Sequence, residues 1–375
     1  MSDEEKQWQG RIRRLVSEEI APRAGDTDRA ATYPWENVRA MAREGPYGLL
    51  IPREYGGLQE SYMVGAIAME EIAKGCAGTA IILSAGWLGI DIIVRFGNDD
   101  QKARFLPEMV RGELQSSFCL TENQAGSDAA ALETKAEARD GQYILNGTKR
   151  YAGNVEAAGC FIVAAKTSAE KRGKGITAFI VEKGTPGLSI TKIHNKMGIR
   201  AAVHGDLLFE NCPVPRGSVL GEVDRGLRVM LGALDPGRVF AGAMAVGIAE
   251  AAYDAAKRHA KTRVQFGRPL AENQVIQFAL ADMDVEIQAA RLLVQQAAKA
   301  LDTGQGDVAK ASAACKLFAS EVLQRVSDGA VQVFASFGYD LDSPVNRHYR
   351  DARSFRIMEG SSEIQRMIIS RCILG

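Results

Sequence analysis

The stretch RIMEGSSEIQRM, Arg356 to Met367, sets one carboxylate, Glu359, beside a glycine in a short break in the chain. Ser362 and Gln365 have the spacing of a capping box, and Ile364, Met367 and Ile368 follow at helical intervals, so the spacing predicts a helix starting there. Glu359 then lies just outside a helix, on backbone that Gly360 leaves free to bend. From this stretch alone the leading reading is a solvated loop glutamate, since charged loop residues usually face water. A second stretch, SFCLTENQAGSDAAALETKA, brings Thr121, Glu122, Gly126, Ser127 and Asp128 close together. Small polar residues around a glycine let backbone N–H groups face an anion or a polar ring edge, although a hydrophilic loop has the same texture.

These groups need a substantial scaffold. The chain has 375 residues, 46% hydrophobic and 25% charged, which is enough for two or three domains around a sizeable core. Lys plus Arg equals Asp plus Glu, 46 each, so the net charge carries no footprint of a nucleic-acid binder or a polybasic membrane anchor. Six scattered cysteines with no C-x-x-C pair, and four histidines without metal-ligand spacing, point to no metal and to reduced, buried thiols of a cytoplasmic protein. The start, MSDEEKQWQGRIRRLV, is acidic and polar where a signal peptide has an apolar core. The apolar run from Gly78 to Val94 falls short of the ~20 residues of a membrane span and contains Asp91, so it reads as a buried helix.

Three zones with different periodicity follow, and together they predict an α+β fold. Residues 1–114 favour amphipathic helices such as QGRIRRLVSEEIAP and AIAMEEIAKG. Residues 115–223 break into short strand-like pieces separated by Gly, Asn and Pro turns, as expected of a β domain. Residues 224–375 return to long Ala-rich helices, the first expected to end at Gly267 with Pro269 beyond it, and these suggest a helical bundle. This order is not the βαβ alternation of a nicotinamide-binding fold. The G-x-G-x-x-A at Gly173 leads into the strand-like FIVEK, not a helix, and reads as a hairpin turn. Walker A and G-x-S-x-G sequences are absent.

With LNGTKRYAGN, KMGIR, FENCPVP, RVQFGRPLAENQ, QVFASFGY and the terminal MEGSSEIQR in this order, the chain resembles the acyl-CoA dehydrogenase family of flavoproteins along nearly its whole length. The resemblance implies an N-terminal helical domain, a middle β-barrel-like domain and a C-terminal four-helix bundle. It implies FAD between the last two, and a homotetramer (or homodimer) in which a neighbour completes each cofactor site. It puts Phe118, Leu120, Thr121, Gly126 and Ser127 along the flavin, with Ser127 also near CoA. Tyr151, Ala152 and Gly153 fall near the flavin ring, and Arg263, Gln265, Asn273 and Gln274 reach FAD from the next subunit. Arg263, expected in the last turn of its helix, suits a pyrophosphate. Gln332 through Ser336 approach the adenosine end, Ser361 and Glu363 flank the cofactor, and Asp235 and Arg238 lie on the substrate side.

The resemblance makes Glu359 the base that removes the α-proton of an acyl-CoA thioester while flavin N5 accepts the β-hydrogen as hydride, giving a trans-2-enoyl-CoA. The thioester oxygen is held by a ribityl hydroxyl and the Glu359 amide. Family branches that carry the base one residue before the bundle arginine have glycine at the terminal site. Here Gly237 precedes Arg238 and the terminal site is Glu359, one coherent choice. Several positions depart from the pattern: Gly153 replaces a hydroxyl residue expected near N5, Ala335 and Ser336 replace a glycine pair, and Met358 replaces an aromatic. An electron-transfer flavoprotein as acceptor, and fatty-acid metabolism as context, are the ordinary expectation. The departures leave open a carrier-protein-bound substrate, an oxidase or monooxygenase, or a non-catalytic homologue. No arginine in GCAGTAII offers to hold a glutaryl-type distal carboxylate. Trp87 sits in the helix that borders the acyl chain; pointing inward it favours short acyl groups, pointing outward it is packing.

Overall fold

The computed structural model describes residues 1–168 and 173–375. Its N-terminal part contains α1 (Asp3–Leu15), α2 (Ala24–Ala30), α3 (Trp35–Glu44), α4 (Tyr62–Gly75), α5 (Ala77–Phe96) and α6 (Asp99–Val110). The middle part contains β1 (Gln115–Cys119), β2 (Lys135–Arg139), β3 (Gln142–Gly153), β4 (Ala158–Lys166), β5 (Ile176–Glu182), β6 (Leu188–Ile193), β7 (His204–Pro215) and β8 (Val219–Leu220). After α7 (Gly226–Gly232) come α8 (Leu234–Thr262), the hairpin β9 (Val264–Gln265) and β10 (Arg268–Pro269), then α9 (Gln274–Thr303) and α10 (Val308–Phe334). Helices α11 (Ser336–Tyr339), α12 (Pro344–Phe355) and α13 (Ser362–Leu374) close the chain.

Helix α5 is apolar on every side because protein covers every side. Its glycines allow close approach: a Cβ on Gly89 would fall 2.2 Å from the Ser116 hydroxyl of β1, so the helix lies directly on the sheet. Two helical stretches, α5 and Gly226–Thr262, are long and apolar enough to cross a membrane, and both are mostly buried in the fold. Asp91 of α5 accepts from the Tyr62 hydroxyl at 3.1 Å and from Arg95, one turn on in the same helix, at 3.0 Å. The bundle meets the N-terminal helices as tightly, since a Cβ on Gly247 of α8 would fall 2.1 Å from the Glu70 carbonyl of α4.

The eight-stranded sheet runs β6-β7-β3-β2-β4-β5-β8, with β1 added parallel to β4. Strands β3 and β7 are antiparallel, and their register sets Gly153 opposite His204 and Ala152 opposite Gly205. Gly173 and Gly175, both at positive φ, precede β5 as the glycines of a turn; residues 169–172 of the same connection lie outside the described residues.

Two expectations are corrected here. The first long helix ends at Thr262, not Gly267. Phe266 (φ 51°) and Gly267 (φ 77°) instead form the two-residue turn of the β9–β10 hairpin, whose paired left-handed residues match the strand twist. Five cysteines are buried, but Cys372 near the end of α13 is exposed, because the last turn has no neighbour to cover it in one chain.

Candidate active site

Glu359 sits at φ 55° and Gly360 at φ 88°, two successive left-handed residues between α12 and α13. Such a conformation in a non-glycine residue persists only where neighbours over-determine it. Here Gln365 Nε2 donates to the carbonyls of both Glu359 and Gly360, at 2.9 Å each, and Lys316 Nζ of α10 donates to the Gly360 carbonyl at 2.6 Å. The expected capping box is therefore displaced. Ser361 is the N-cap of α13, accepting from the Ile364 N–H at 3.4 Å, while the buried Ser362 donates to Glu321 at 2.8 Å. The Ser362 N–H donates to the Arg356 carbonyl at 3.1 Å, and the Gln365 amide oxygen is left without a partner. Arg356 donates to the same Glu321 oxygen at 3.0 Å, so one carboxylate of α10 holds both ends of the loop.

The Glu359 carboxylate faces α5 and α8. Its Oε2 is inaccessible to solvent and has no hydrogen-bond partner, although the residue as a whole is half-buried. A Cβ on Gly237 would fall 2.9 Å from Oε2 and 3.0 Å from Leu88 Cδ2, so a glycine there makes room for the Glu359 carboxylate. Next to it, Arg238 donates to Asp235 at 2.6 Å and leaves its Nε without a partner. Burial pushes the Glu359 carboxyl above the usual carboxylate range, and Arg238 and Lys316 pull against that rise without cancelling it. Burial in turn draws Lys316 down to about 8, with Glu359 the leading group holding it up. A carboxylate with raised proton affinity and an open lone pair is equipped to take a proton.

Helix α5 joins this corner to the sheet. Leu88 touches the base side, and Ala85, one turn earlier, lies 3.5 Å from where a Gly153 Cβ would stand. Asn154 donates to the Ile82 carbonyl at 3.0 Å, which pins the end of β3 to the same helix, and its Oδ1 is unpartnered. Tyr151, at φ 54° and 57% exposed, stacks on His194 at 4.3 Å, and Asp206 bonds both the His194 ring (2.7 Å) and the Tyr151 N–H (3.2 Å). The Ala152 side chain points into the core of the sheet, so only its backbone can border a ligand. His204 Nε2 lies 3.6 Å from the Gly153 Cβ position. Its Nδ1 is 2.7 Å from the Ala202 carbonyl, which can only accept, so Nδ1 carries the proton and Nε2 presents a lone pair. Burial lowers this imidazole to about 4. His204 is absent from the sequence reading because a cross-strand register brings it in.

The loop after β1 is held from below. Buried Glu122 accepts from the Glu133 N–H (2.6 Å), the Thr134 N–H (3.1 Å) and hydroxyl (2.6 Å), and the fully buried Lys149 ammonium (2.6 Å). Burial alone would raise the Glu122 carboxyl, but Lys149 and these donors win and hold it low. Arg150 N–H donates to the Thr121 carbonyl at 2.8 Å, tying loop to strand. Phe118 and Thr121 are half-buried, Leu120 is buried, and Gly126 and Ser127 are exposed, with no atom within 4 Å of a Cβ on Gly126. Glu122 appeared in the sequence as one more loop carboxylate; only its pairing with Lys149 reveals an anchor.

The other expected cofactor residues lie elsewhere in the chain. Arg263 is the C-cap residue just past α8, not within its last turn, and its guanidinium lies over Phe337 at 5.2 Å. Gln265 is exposed, Asn273 accepts from Arg268 at 2.9 Å, Gln274 opens α9, and Gln332 and Ser336 are exposed where α10 meets α11. From Arg238 to Thr262, α8 runs about 36 Å at ~1.5 Å per residue. One chain therefore separates this group from Glu359 by the length of the bundle. Ser361 and exposed Glu363 stay beside the base.

Between sheet and bundle, side-chain-free Gly153, the exposed Tyr151 ring and the unpartnered Asn154 and Glu359 oxygens fit a planar, polar-edged cofactor. Fold and cleft define a flavin-dependent oxidoreductase. The chain belongs to the acyl-CoA dehydrogenase family: residues 2–113 match its N-terminal domain, 117–212 its middle domain and 224–374 its C-terminal domain. Its relatives are FAD-dependent enzymes. It is 40% identical over 364 residues to the acryloyl-CoA reductase (NADH) of Anaerotignum propionicum, covering 96% of this chain and 92% of that one. It is 39% identical to the human mitochondrial short-chain specific acyl-CoA dehydrogenase, with 96% and 88% covered. Butyryl-CoA dehydrogenase from Megasphaera elsdenii superposes with a TM-score of 0.97 at 38% identity, covering 100% of this chain and 99% of that one.

Proposed function

We propose that the protein removes the α- and β-hydrogens of a short or compact acyl-CoA, with Glu359 as the base. The observation that carries this is the unpartnered, inaccessible Oε2 of a carboxylate held by its backbone in a left-handed loop. Glu359 takes the α-proton at Oε2. Its raised proton affinity favours the transfer, and Arg238 and Lys316 favour its ionised form. The Glu359 N–H donates to no described residue, which supports its part in holding the thioester oxygen. FAD, when bound, supplies the hydride acceptor for the β-hydrogen. Thr121, Tyr151 and Gly153, with the backbone of Ala152, would border its ring; Ser127 and Asp235 would meet the CoA side.

Chain length follows from Trp87. It is buried among α4, α5 and α8, its Nε1 donates to the Pro46 carbonyl at 3.2 Å, and Phe240 packs edge-on at 4.8 Å. Phe240 is one turn of α8 beyond Gly237, so the aromatic pair fills the space behind the base. Completion of the FAD site by a second copy of the chain, as in a homotetramer, is supported by the distance separating Arg263 and Gln274 from Glu359, and by exposed Phe266, Val275 and Phe278 around them.

Anaerobic stopped-flow mixing with an acyl-CoA panel tests the reading: short acyl-CoAs bleach the oxidised flavin, and Glu359→Gln binds FAD but loses bleaching by several orders of magnitude. Equal rates in the variant remove Glu359 from the chemistry. A second reading, an oxidase or a carrier-protein-dependent enzyme, is favoured by the imidazole lone pair that stands at Gly153 in place of a hydroxyl. Oxygen uptake during turnover, or bleaching by carrier-bound acyl groups alone, supports it; reoxidation by an electron-transfer flavoprotein without oxygen uptake opposes it.

A further inference from the structure

A buried lysine needs a reason. Lys316 is 1% exposed in the middle of α10 and has no carboxylate within ion-pair distance among the described residues. Its hydrogen bond goes to a backbone carbonyl, that of Gly360. An unpaired buried ammonium is costly, and an apolar side chain would pack in its place without that cost. Lys316 is kept where it meets the loop carrying Glu359, and Gln365 grips the same loop from α13 through two more carbonyl contacts.

We infer that Lys316 and Gln365 are positioning residues that lock the Glu359 loop in its left-handed conformation, and that Lys316 also sets a positive charge beneath the carboxylate. The inference rests on the reading of Glu359 as the base. The locked state is defined by φ values of 55° and 88° at Glu359 and Gly360, which an unrestrained chain would leave. Other charges face this corner: Asp235 and Arg238 from α8, Glu321 from α10, Arg356 after α12, and Glu363 and Arg366 from α13, while α5 presents Leu88. Asp235 is bonded to Arg238, and Glu321 to Arg356 and Ser362, so each has a nearer partner than the base. Arg238 and Lys316 remain as the two cations that favour ionised Glu359.

The test uses FAD-loaded full-length protein and the acyl-CoA that bleaches wild type fastest, read as anaerobic bleaching rate against pH. Lys316→Gln keeps a donor and removes the charge; Lys316→Met removes both; Gln365→Leu removes two loop contacts. Both lysine variants should move the acid limb of the profile to higher pH by the same amount. Lys316→Met and Gln365→Leu should slow the plateau by about 10- to 100-fold, the scale for a base displaced by ~1 Å. Lys316→Gln should keep most of its plateau, and Gln365→Leu should keep the wild-type acid limb. Unmoved acid limbs in both lysine variants, or wild-type plateaus in Lys316→Met and Gln365→Leu at normal FAD content, overturn the inference, and an altered melting temperature alone does not rescue it. Glu359→Gln, run alongside, separates the failures: loss of bleaching there sustains the base while the lysine arms decide the clamp, and normal bleaching there removes both.

Discussion

At Glu359 the chemistry depends on a hydrogen atom elsewhere, the one that serves Gly237 as a side chain. Any Cβ at 237 meets Oε2 at 2.9 Å and Leu88 at 3.0 Å. Gly237→Ala should therefore fold and load FAD yet push the carboxylate aside, lowering flavin bleaching by about 100-fold. Bleaching at the wild-type rate would show that the carboxylate has freedom the packing denies it. Glu359 and Gly237 stood out in the sequence as candidates, because the motif around each is local. Lys316 did not, since a lysine on an apolar-periodic helix reads as surface until α12 and α13 cover it. His204 was hidden for a related reason, 51 residues along the chain from the Gly153 it faces across β3 and β7.

Among the elements, the loop after β1 depends on Glu122 and Lys149 more than on its own polar residues. Lys149→Met would leave a buried carboxylate with four protein donors and no counter-charge, an arrangement that costs about 3–5 kcal/mol. Urea unfolding should register that loss together with weaker FAD retention; an unchanged midpoint would mean that the pair contributes nothing net. Helix α5 sets the other boundary. Trp87→Ala should open space beside Phe240 and shift specificity toward longer acyl chains by about 1–3 kcal/mol per added methylene lodged there, read as ratios of kcat/KM. A flat chain-length profile in a folded, FAD-loaded variant would show the pocket ends elsewhere. The sequence put Trp87 on α5; its packing against Phe240 of α8 and beside Gly65 of α4 came only with tertiary structure.

For the whole molecule, acid should destabilise the fold well above the carboxylate range. Burial lowers His204 to about 4 and His348 to about 3, against an ordinary imidazole near 6.5. Below pH ~6.5 the unfolded chain takes up two protons that the folded chain refuses, so stability falls as pH falls. Asp351 works the other way: burial raises it to about 6, so the folded chain gains its proton first and offsets part of the loss below that pH. The raised Glu359 adds to the same offset. Counted over His204, His348 and Asp351, the loss between pH 7 and 5.5 should be about 1–2 kcal/mol, seen as a lower urea midpoint at unchanged slope. A midpoint that rises on acidification would mean that the imidazoles are not held neutral.

The sequence by itself determined the zones of helix, strand and helix, because hydrophobic period and turn residues act over a few positions. It also marked Glu359 and Gly237, whose neighbours in the chain carry their meaning. Tertiary structure decided what those neighbours do. Gln365 could have capped α13, as its spacing suggested, yet the Ser362 N–H goes to the Arg356 carbonyl, the Gln365 amide nitrogen holds two carbonyls of a left-handed loop, and Ser361 takes the cap. Gly267 could have ended α8, but a hairpin needed its positive φ. Contacts between residues far apart in the chain, Lys316 with Gly360, His204 with Gly153, Glu122 with Lys149, have no local pattern to announce them, because each forms only when packing brings separate elements within hydrogen-bond or van der Waals reach.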